Sequence, residues 1–322
     1  MLFRSEVLPR VDVLCADKTG TITEGALQVA SVEVLQHDLD PNPVLAAMAH
    51  LDPDPNATSV ALRAHYPTFT RSLQVLSRVP FSSARKWSAM HIDTLGSWVL
   101  GAPENVLGPG FSGELRASVE AHASAGQRVL LLASTESPVP SDSLPQVTPV
   151  ALVLLEDIVR ADAPATLRYF AEQGVTVKVI SGDNNVTVGA VARRAGLDHW
   201  ANNVNATTLP ADDTSEFADA VAANTVFGRV TPHQKRAMVK ALQARGHVVA
   251  MTGDGVNDVL ALKDSNCGIA MASGSEATRG VAQLVLLDSN FSALPAVVSE
   301  GRRVINNIER VAALFLAKTT YS

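Results

Sequence analysis

The chain has 322 residues, of which 47% are apolar and 18% are charged, and its formal net charge at pH 7 is -6. This composition is typical of a globular protein, the length favours two domains, and the lack of a basic surplus argues against nucleic acid as a partner. No apolar run reaches the roughly 18 residues that span a bilayer, so we expect the chain itself to be soluble. Cys15 and Cys267 lie in apolar runs and are expected to be buried thiols in a reducing compartment.

The first predicted element is a buried strand at residues 11–16, and a second strand is predicted at residues 26–35. From there to about residue 150 the chain is rich in Pro and Ser. Short apolar runs, such as residues 98–100 and 129–133, alternate with turn clusters. This pattern predicts an inserted domain with an antiparallel sheet and a few helices.

From Ala151 onward, apolar strands alternate with helices, which predicts a parallel sheet covered by helices on both faces. The first strand of the chain is expected to belong to this sheet. Asp162 is the predicted cap of one helix and Thr231 of another, each with a proline close behind and a glycine at the far end. The polar segment 202–213 is predicted to be a surface connection. The predicted strands are residues 151–155, 175–180, 226–227, 247–251, 267–271 and 284–287, and the other helices are residues 185–195 and 257–263.

The sequence DKTGTIT, which begins at Asp17, directly follows the first predicted strand. Open α/β sheets bind their ligands at the carboxyl ends of the strands, so Asp17 is placed where a nucleophilic carboxylate would act. A surface turn is the alternative interpretation, because Asp, Lys, Thr and Gly are all common in turns.

Three later strand ends carry residues that suit a phosphate and a metal ion. Ser181 begins the sequence SGDN, and a hydroxyl with backbone amides at a strand end can hold phosphoryl oxygens. Lys235 ends the sequence RVTPHQK in the first turn of a helix, where the helix N-terminus already favours anions. Asp254 lies in TGDGVND, a glycine-rich loop with the oxygen ligands that Mg²⁺ prefers. Taken alone, each of these could be an ordinary turn or a solvated side chain.

The sequences at residues 17–23 and 252–271 together resemble the signatures of P-type cation-transporting ATPases, which form an aspartyl-phosphate from ATP. This resemblance implies a haloacid-dehalogenase-like Rossmannoid parallel sheet with an inserted α+β nucleotide-binding domain. It implies that Asp17 is phosphorylated. The wider superfamily of phosphatases usually has a second Asp two residues after the nucleophile, and Thr19 stands there instead. Without that carboxylate to activate water, the phosphate is expected to be stored rather than released.

The resemblance also implies a role for each residue at the strand ends. Mg²⁺ is expected to be held by the Asp17 and Asp254 side chains and by the Thr19 carbonyl group. The residues expected to contact the phosphate are Lys235, Ser181 and Asn257, those expected to support the metal loop are Asp258, Gly253 and Gly255, and Asp183 is a hinge or nucleotide ligand.

The inserted domain contains two sequences that resemble the nucleotide-binding motifs of pumps related to calcium and proton ATPases. FSSARKW begins at Phe81, which is expected to stack on adenine, and Arg85 or Lys86 is expected to reach the phosphates. GAPE begins at Gly101 and Ala102, and Arg128 is expected to provide a third contact.

The sequence departs from the family pattern at several positions. Those pumps usually have Lys where this chain has Leu100, and Glu where it has Ser59. The pocket therefore lacks one cation and one acid, and we expect its affinity and selectivity for nucleotide to differ from theirs. DIVR replaces the common DPPR, with Asp157 and Arg160 kept as an expected hinge and nucleotide contact, or as a plain surface pair. The chain has no His-Pro pair, which argues against the copper and zinc subgroup.

These observations predict a phosphorylation domain at residues 1–26 and 156–322, interrupted by a nucleotide-binding domain at residues 27–155. The last residues, 306–321, resemble the start of a stalk helix, and a plain amphipathic helix is the alternative. We therefore expect a catalytic part of a larger pump on the cytoplasmic face of a membrane. Its expected partners are ATP, the transmembrane and actuator domains, and a transported cation, with calcium weakly preferred because the motifs look most like those of the calcium-pump-related bacterial branch.

Two other functions stay open at this point. A free-standing phosphatase of the same superfamily would use the same nucleophile and metal, although Thr19 argues against it. A non-catalytic nucleotide-binding module would tolerate the changes at Leu100 and Ser59.

Overall fold

The structure, a computed structural model, describes residues 7–70, 72–140, 143–287 and 290–320. The start of the predicted phosphorylation domain, residues 1–6, lies outside the described residues. So do residues 321–322, where the predicted stalk segment ends. The described chain divides into two compact units. We call Ala26–Ile158 the inserted unit, and the described residues on either side of it the parallel-sheet unit.

The elements of the first half of the chain are mostly short. In order they are β1 (Val13–Asp17), β2 (Thr23–Val34), α1 (Asn42–His50), α2 (Ala57–His65), β3 (Val75–Val79), β4 (Trp87–Ile92), β5 (Gly96–Gly101), α3 (Pro103–Leu107), α4 (Gly113–Ser124) and β6 (Arg128–Thr135).

The second half alternates strands with helices. In order its elements are β7 (Thr148–Val159), α5 (Ala163–Glu172), β8 (Thr176–Ile180), α6 (Asn185–Arg194), β9 (Asn203–Asn205), α7 (Ser215–Ala223), β10 (Val226–Gly228), α8 (Pro232–Ala244), β11 (Val249–Gly253), α9 (Val259–Asp264), β12 (Cys267–Met271), α10 (Glu276–Val281), β13 (Leu284–Leu286) and α11 (Ala293–Thr320).

The parallel-sheet unit is built on a sheet with the strand order β13-β12-β11-β1-β8-β10-β9, in which the paired strands run parallel. β1 lies between β8 and β11, and all five of its residues are buried. Leu14 and Ala16 pack into the core on one face of the sheet, while Val13 and Cys15 pack into the core on the other. The parallel sheet covered on both faces is therefore confirmed, and the carboxyl ends of β1, β8 and β11 share one edge.

The inserted unit is built on a sheet with the order β2-β7-β6-β5-β4-β3, and the pairs from β3 to β7 are antiparallel. α1 and α2 supply residues to the core on one face of this sheet, and α3 and α4 supply residues to the core on the other. The predicted antiparallel sheet with a few helices is therefore confirmed.

Residues 151–155 were predicted to begin the alternating, parallel half of the chain, and this was wrong, although the predicted domain boundary had already placed them in the inserted domain. These residues lie within β7, which pairs with β6 in the antiparallel sheet. Val153 packs into one core and Leu154 into the other. A strand buried on both faces has a continuous apolar sequence in either kind of sheet, so the pattern alone did not distinguish them.

Two smaller predictions also need correction. The segment 202–213, predicted as a surface connection, contains β9, which pairs with β10 at the edge of the parallel sheet. Asp162 is at the N-cap position of α5, but its side chain makes no capping hydrogen bond. Its carboxylate accepts hydrogen bonds from Arg160 Nε and from the backbone N–H of Ser292 instead.

Both cysteines are buried and free, as expected from their apolar surroundings. Within the described part of the chain, no helix combines the length and the apolar content that crossing a membrane requires.

Candidate functional site

The Asp17 side chain lies at the carboxyl end of β1, and the residue is only 5% exposed. Its Oδ1 accepts a hydrogen bond from Lys235 Nζ at 2.5 Å, and its Oδ2 accepts one from the Thr19 backbone N–H at 3.0 Å. The backbone N–H of Asp17 donates to Thr252 Oγ1 on β11 at 3.2 Å. The carboxylate is therefore held by one contact from α8 and one from the turn, while β11 fixes the backbone of the same residue.

Lys235 connects Asp17 to Asp258. It lies in the first turn of α8, which begins with Pro232 and is closed by a capping box between Thr231 and Gln234, as the N-cap prediction required. Lys235 Nζ is 2.5 Å from Asp17 Oδ1 and 2.5 Å from Asp258 Oδ1. The lysine is 5% exposed, so both ion pairs are shielded from water.

Burial changes the proton affinities of these groups. It raises the pKa of Asp17 to about 7, and the nearby Lys235 opposes this shift. Burial would lower the pKa of Lys235, but the carboxylates of Asp17 and Asp258 outweigh it, so the pKa of Lys235 is raised. The lysine is therefore held in its charged form beside the carboxylate.

Three carboxylates converge at this edge of the sheet. Asp17, Asp254 and Asp258 each offer one oxygen, and these oxygens lie within 4.8 Å of one another. Burial, and then the Asp258 carboxylate, raise the pKa of Asp254. The three carboxylates outnumber the Lys235 ammonium, which is bonded to two of them. Oxygen-only donors with surplus negative charge suit Mg²⁺, which prefers one or two carboxylates together with phosphate and water. The residues present therefore fit a magnesium ion.

Gly20 allows the Asp254 side chain to approach the turn that follows Asp17. Gly20 has a φ of 71°, in the left-handed region, and a β-carbon at this position would collide with the Asp254 carboxylate. Any other residue at position 20 would therefore strain the backbone and displace the Asp254 carboxylate from this turn.

The remaining phosphate residues predicted from the sequence lie at the ends of β8 and β11. Ser181 is buried directly after β8, and its Oγ accepts a hydrogen bond from the Asp183 backbone N–H at 3.2 Å. The Asp183 carboxylate forms an ion pair with the buried Lys18 at 2.8 Å. Asn257 is exposed, in the short 3₁₀ turn before α9. The structure thus brings Ser181 and Asp183 to the same sheet edge as Asp17.

The loop residues predicted to support the metal site surround Asp258. Gly253 ends β11, and the Gly255 backbone N–H donates to Asp258 Oδ2 at 3.2 Å. Because the other oxygen of Asp258 binds Lys235, this residue links the loop to the lysine.

A cavity of about 480 Å³ in the inserted unit contains most of the residues predicted to bind nucleotide. Phe81, at 47% exposure, is an exposed large aromatic side chain at its wall. Gly101 permits close packing here, because a β-carbon would lie 2.7 Å from the Lys86 carbonyl oxygen. The predicted residues that line the cavity are Phe81, Lys86, Gly101, Ala102 and Arg128, together with Ser59 and Leu100 at the two positions that depart from the family pattern.

Arg85 does not line this cavity. Its guanidinium donates to the Pro80 carbonyl oxygen at 2.7 Å and lies over the Trp87 ring, 5.2 Å from the ring centroid. Of the two basic residues proposed to reach the phosphates, the structure therefore places Lys86 at the cavity and holds Arg85 against Pro80 and Trp87.

Asp157 and Arg160 occur near the end of β7. Asp157 lies on the strand itself, in the inserted unit. The backbone N–H of Arg160 donates to the Ile22 carbonyl oxygen at 3.0 Å, and its Nε bonds Asp162 Oδ1 at 3.0 Å. Asp162 therefore already binds the Arg160 side chain, and a nucleotide would have to compete with this carboxylate for the guanidinium group.

The sequence reasoning missed three contacts of the site. Thr252, whose hydroxyl accepts the Asp17 N–H, was predicted only as part of the loop. The ion pair from Lys18 to Asp183 was not foreseen, although Lys18 directly follows the nucleophile. The direct bond from Lys235 in α8 to Asp258 in the turn before α9 was also not foreseen, since the separation of the two residues along the chain gives no signal.

The fold and the site define a class of α/β enzyme that carries a buried aspartate at a strand end, with a lysine and a metal-binding loop beside it. A family model described as haloacid dehalogenase-like hydrolase matches residues 11–266. The chain belongs to this family. Within the family, the resemblance to P-type cation-transporting ATPases is confirmed by individual relatives.

Three curated relatives illustrate this. The chain is 52% identical over 320 residues to the calcium-transporting ATPase CtpE of Mycolicibacterium smegmatis and 54% identical over 323 residues to that of Mycobacterium tuberculosis, in each case over 98% of this chain. It is 42% identical over 332 residues, all of this chain, to the probable cation-transporting ATPase exp7 of Streptococcus pneumoniae. These alignments cover 39%, 40% and 41% of the relatives, so the chain spans about two fifths of their length.

The fold is similar to that of a zinc-transporting PIB-type ATPase whose crystal structure has been solved. The TM-score is 0.73 at 21% identity, over 95% of this chain and 43% of that chain. At this identity the likeness shows the fold alone.

Proposed function

We propose that this chain is the phosphorylation and nucleotide-binding part of a P-type cation-transporting ATPase, and that it transfers the γ-phosphate of ATP to Asp17. The observation that carries the proposal is the Asp17 carboxylate, oriented by Lys235 at 2.5 Å beside the Asp254 and Asp258 carboxylates. The division of the domains at residues 26 and 155 belongs to the same proposal.

Asp17 is the proposed nucleophile. One of its oxygens forms a bond to the γ-phosphorus, the bond from that phosphorus to the bridging oxygen breaks, and ADP leaves with the bond electrons. The attacking carboxylate and the phosphoryl group are both negative. Lys235 lowers this repulsion, because its ammonium is already fixed next to Asp17 and needs no reorganisation. Ser181 and Asn257 are proposed as further phosphate contacts.

Asp17, Asp254 and the Thr19 carbonyl group would hold Mg²⁺. When bound, the ion would neutralise charge on the phosphoryl oxygens. Asp258 and the glycines on either side of Asp254 would keep the loop in place, since Asp258 is itself held by Lys235 and Gly255.

Thr19 supports storage of the phosphate over rapid hydrolysis. The second position after the nucleophile has a hydroxyl group in place of a carboxylate, so no general base is available there to activate water. This favours the ATPase over the free-standing phosphatase. Fast release of phosphate from small phosphomonoesters would reverse the preference.

The nucleotide is proposed to bind in the 480 Å³ cavity of the inserted unit. Phe81 would stack on the base, while Lys86 and Arg128 would contact the phosphates or ribose. Asp157, Arg160 and Asp183 are proposed as contacts during transfer, which requires the γ-phosphate to reach Asp17.

In the parent protein, this chain would lie on the cytoplasmic face of a membrane, with actuator and transmembrane domains of the same pump as partners. The names of the mycobacterial relatives support calcium as the transported ion. The ion ligands would lie outside the chain.

The proposal is tested by two measurements on the whole chain. Calorimetry with ATP, with and without Mg²⁺, measures binding, and acid quenching after addition of γ-labelled ATP traps any acyl-phosphate. We expect binding, and trapped phosphate in the wild type but none in Asp17→Asn, because the amide is not a nucleophile. Tight binding without phosphate in either protein would favour the non-catalytic module, and phosphate on Asp17→Asn would refute the assigned nucleophile.

A further inference from the structure

The nucleotide cavity of the inserted unit adjoins a second cavity of about 210 Å³. The two share part of their lining, including Ser59, Phe81 and Leu100. Asp52 and Arg78 also line the second cavity, and the proposed function assigns no role to either residue. Ser59 therefore stands where the first cavity meets a charged pair.

Asp52 is held on several sides. Its Oδ2 accepts a hydrogen bond from Ser59 Oγ at 3.0 Å, and its Oδ1 accepts one from Arg78 Nη1 at 3.0 Å. Arg63 fixes the backbone beneath it, with Nη2 donating to the Asp52 carbonyl oxygen at 2.6 Å and Nε donating to the Ala49 carbonyl oxygen at 2.8 Å. Both oxygens of the Asp52 carboxylate therefore act as hydrogen-bond acceptors, one towards Ser59 and one towards Arg78.

This arrangement fixes the direction of the Ser59 hydroxyl group. Its single proton is donated to Asp52, so only its lone pairs are left for a ligand. The hydroxyl group is not needed to cap α2, because Asn56 Oδ1 already accepts the backbone N–H groups of Thr58 and Ser59. Ser59 is thus an acceptor at the wall of a cavity beside the exposed ring of Phe81.

We propose that the chain Arg78–Asp52–Ser59 selects adenine over 6-oxopurines, an inference that rests on nucleotide binding in this cavity as set out above. Adenine carries an amino group at C6, which donates to the Ser59 lone pairs. Guanine and hypoxanthine carry an oxygen there, which would face an acceptor with no proton to share. A site built to receive a donor rejects a base that presents an acceptor, because the groups at the wall are left unpaired. Asp52 and Arg78 act as positioning residues, since they set the direction of the Ser59 proton.

The test compares ATP with inosine triphosphate, which differs from ATP at C6 and at the adjacent N1, in binding to the 322-residue chain by calorimetry. In the wild type we expect inosine triphosphate to bind about tenfold more weakly than ATP or worse. Ser59→Ala removes the acceptor, so the difference should shrink to about threefold or less through weaker binding of ATP. Ser124→Ala, at the exposed end of α4 and outside both cavities, is the matched control and should keep the wild-type difference.

Asp52→Asn separates selection from packing. The amide is nearly isosteric with the carboxylate, but it can donate to Ser59 and release the serine proton towards the base. We expect ATP to bind more weakly and inosine triphosphate more tightly than in the wild type, a reciprocal change that loss of structure would not produce.

Equal binding of the two nucleotides by the wild type would overturn the inference and leave the proposed function standing. An undiminished difference in Ser59→Ala would do the same. Failure of the wild type to bind either nucleotide would overturn the proposed function and this inference together.

Discussion

The Asp17 site of the parallel-sheet unit and the proposed nucleotide cavity of the inserted unit are held in different ways. Asp17, Lys235 and Asp258 are 5%, 5% and 2% exposed and are bonded to one another, whereas Phe81 at the nucleotide cavity is 47% exposed. A buried charge whose partner is lost is costly, so the Asp17 site tolerates little change. The lining of the proposed nucleotide cavity includes Leu100 and Ser59, the two positions that depart from the pattern expected from the family resemblance.

A substitution of Lys235 should have the largest effect on the Asp17 site and no effect on the cavity of the inserted unit. Lys235→Met removes the only cation bonded to both Asp17 and Asp258 in the described part of the chain. We expect phosphorylation of Asp17 to slow by about 10²–10³-fold, the usual effect of losing one such electrostatic donor. Quenched-flow measurement of phosphoenzyme formation gives the rate, and nucleotide binding by calorimetry should not change.

Lys235→Arg is the matched control, because it keeps the charge but changes its geometry. It should retain more activity than Lys235→Met. Equal rates for the wild type and Lys235→Met would show that the ion pairs serve the fold and not the reaction.

Asp254 should affect the metal dependence of phosphorylation while leaving the cavity unaffected. In Asp254→Asn, we expect the Mg²⁺ concentration that gives half-maximal phosphorylation to rise by about 10- to 100-fold, since changes around metal ligands commonly have effects of this size. Chelation of Mg²⁺ should stop phosphorylation in the wild type. An unchanged Mg²⁺ dependence in Asp254→Asn would place the metal elsewhere.

Cys15 reports on the burial that shifts the pKa of Asp17, two residues further along the same strand. Burial raises the pKa of the Cys15 thiol from 9.0 to about 12. The unfolded chain therefore loses this proton near its ordinary pKa while the folded chain keeps it. The stability due to Cys15 is full below pH 9.0 and falls as the pH rises towards 12.

Between about pH 8.5 and pH 10.5, the wild type should lose about 2 kcal/mol more stability than Cys15→Ala. Denaturant unfolding of both proteins at each pH measures the difference, and the lower starting stability of the alanine variant cancels in the comparison. Parallel pH profiles would contradict the burial of β1.

Leu100 tests the tolerance of the nucleotide cavity, and the expected effect is the smallest. Leu100→Lys introduces the cation that the family pattern leads us to expect at this position, and we expect it to tighten ATP binding by about fivefold, or about 1 kcal/mol. Leu100→Met keeps the apolar character and should bind ATP as the wild type does. A loss of affinity in the lysine variant would mean that the cavity is adapted to an apolar wall.

Most strands and helices of the parallel-sheet unit could be predicted from the sequence, because the signals for strands, turns and helix caps agree there. β12 matches the prediction at both ends, and Thr231 caps α8 through the predicted motif. The residues at the ends of β1, β8 and β11 could be placed together because parallel strands share an edge. The ion pairs between them could not be predicted, since they depend on side-chain directions that no spacing specifies.

The inserted unit was harder to predict. β7 is apolar along both faces because helices cover its sheet on both sides, so it resembled a strand of the parallel sheet. The orientation of Arg85 away from the cavity is set by its contacts with Pro80 and Trp87, which the FSSARKW motif does not show. Likewise, the bond from Ser59 to Asp52 spans a turn whose course the sequence leaves open.

The central claim is that Asp17 itself accepts the γ-phosphate. The most direct test is to incubate the chain with Mg-ATP, quench it in acid, reduce any acyl-phosphate with borohydride and locate the product by mass spectrometry. Reduction converts an aspartyl-phosphate to homoserine. We expect homoserine at position 17 and no homoserine in place of any other aspartate. Phosphate trapped at a different residue, or ATP consumed with no modification at position 17 at any time point, would contradict it.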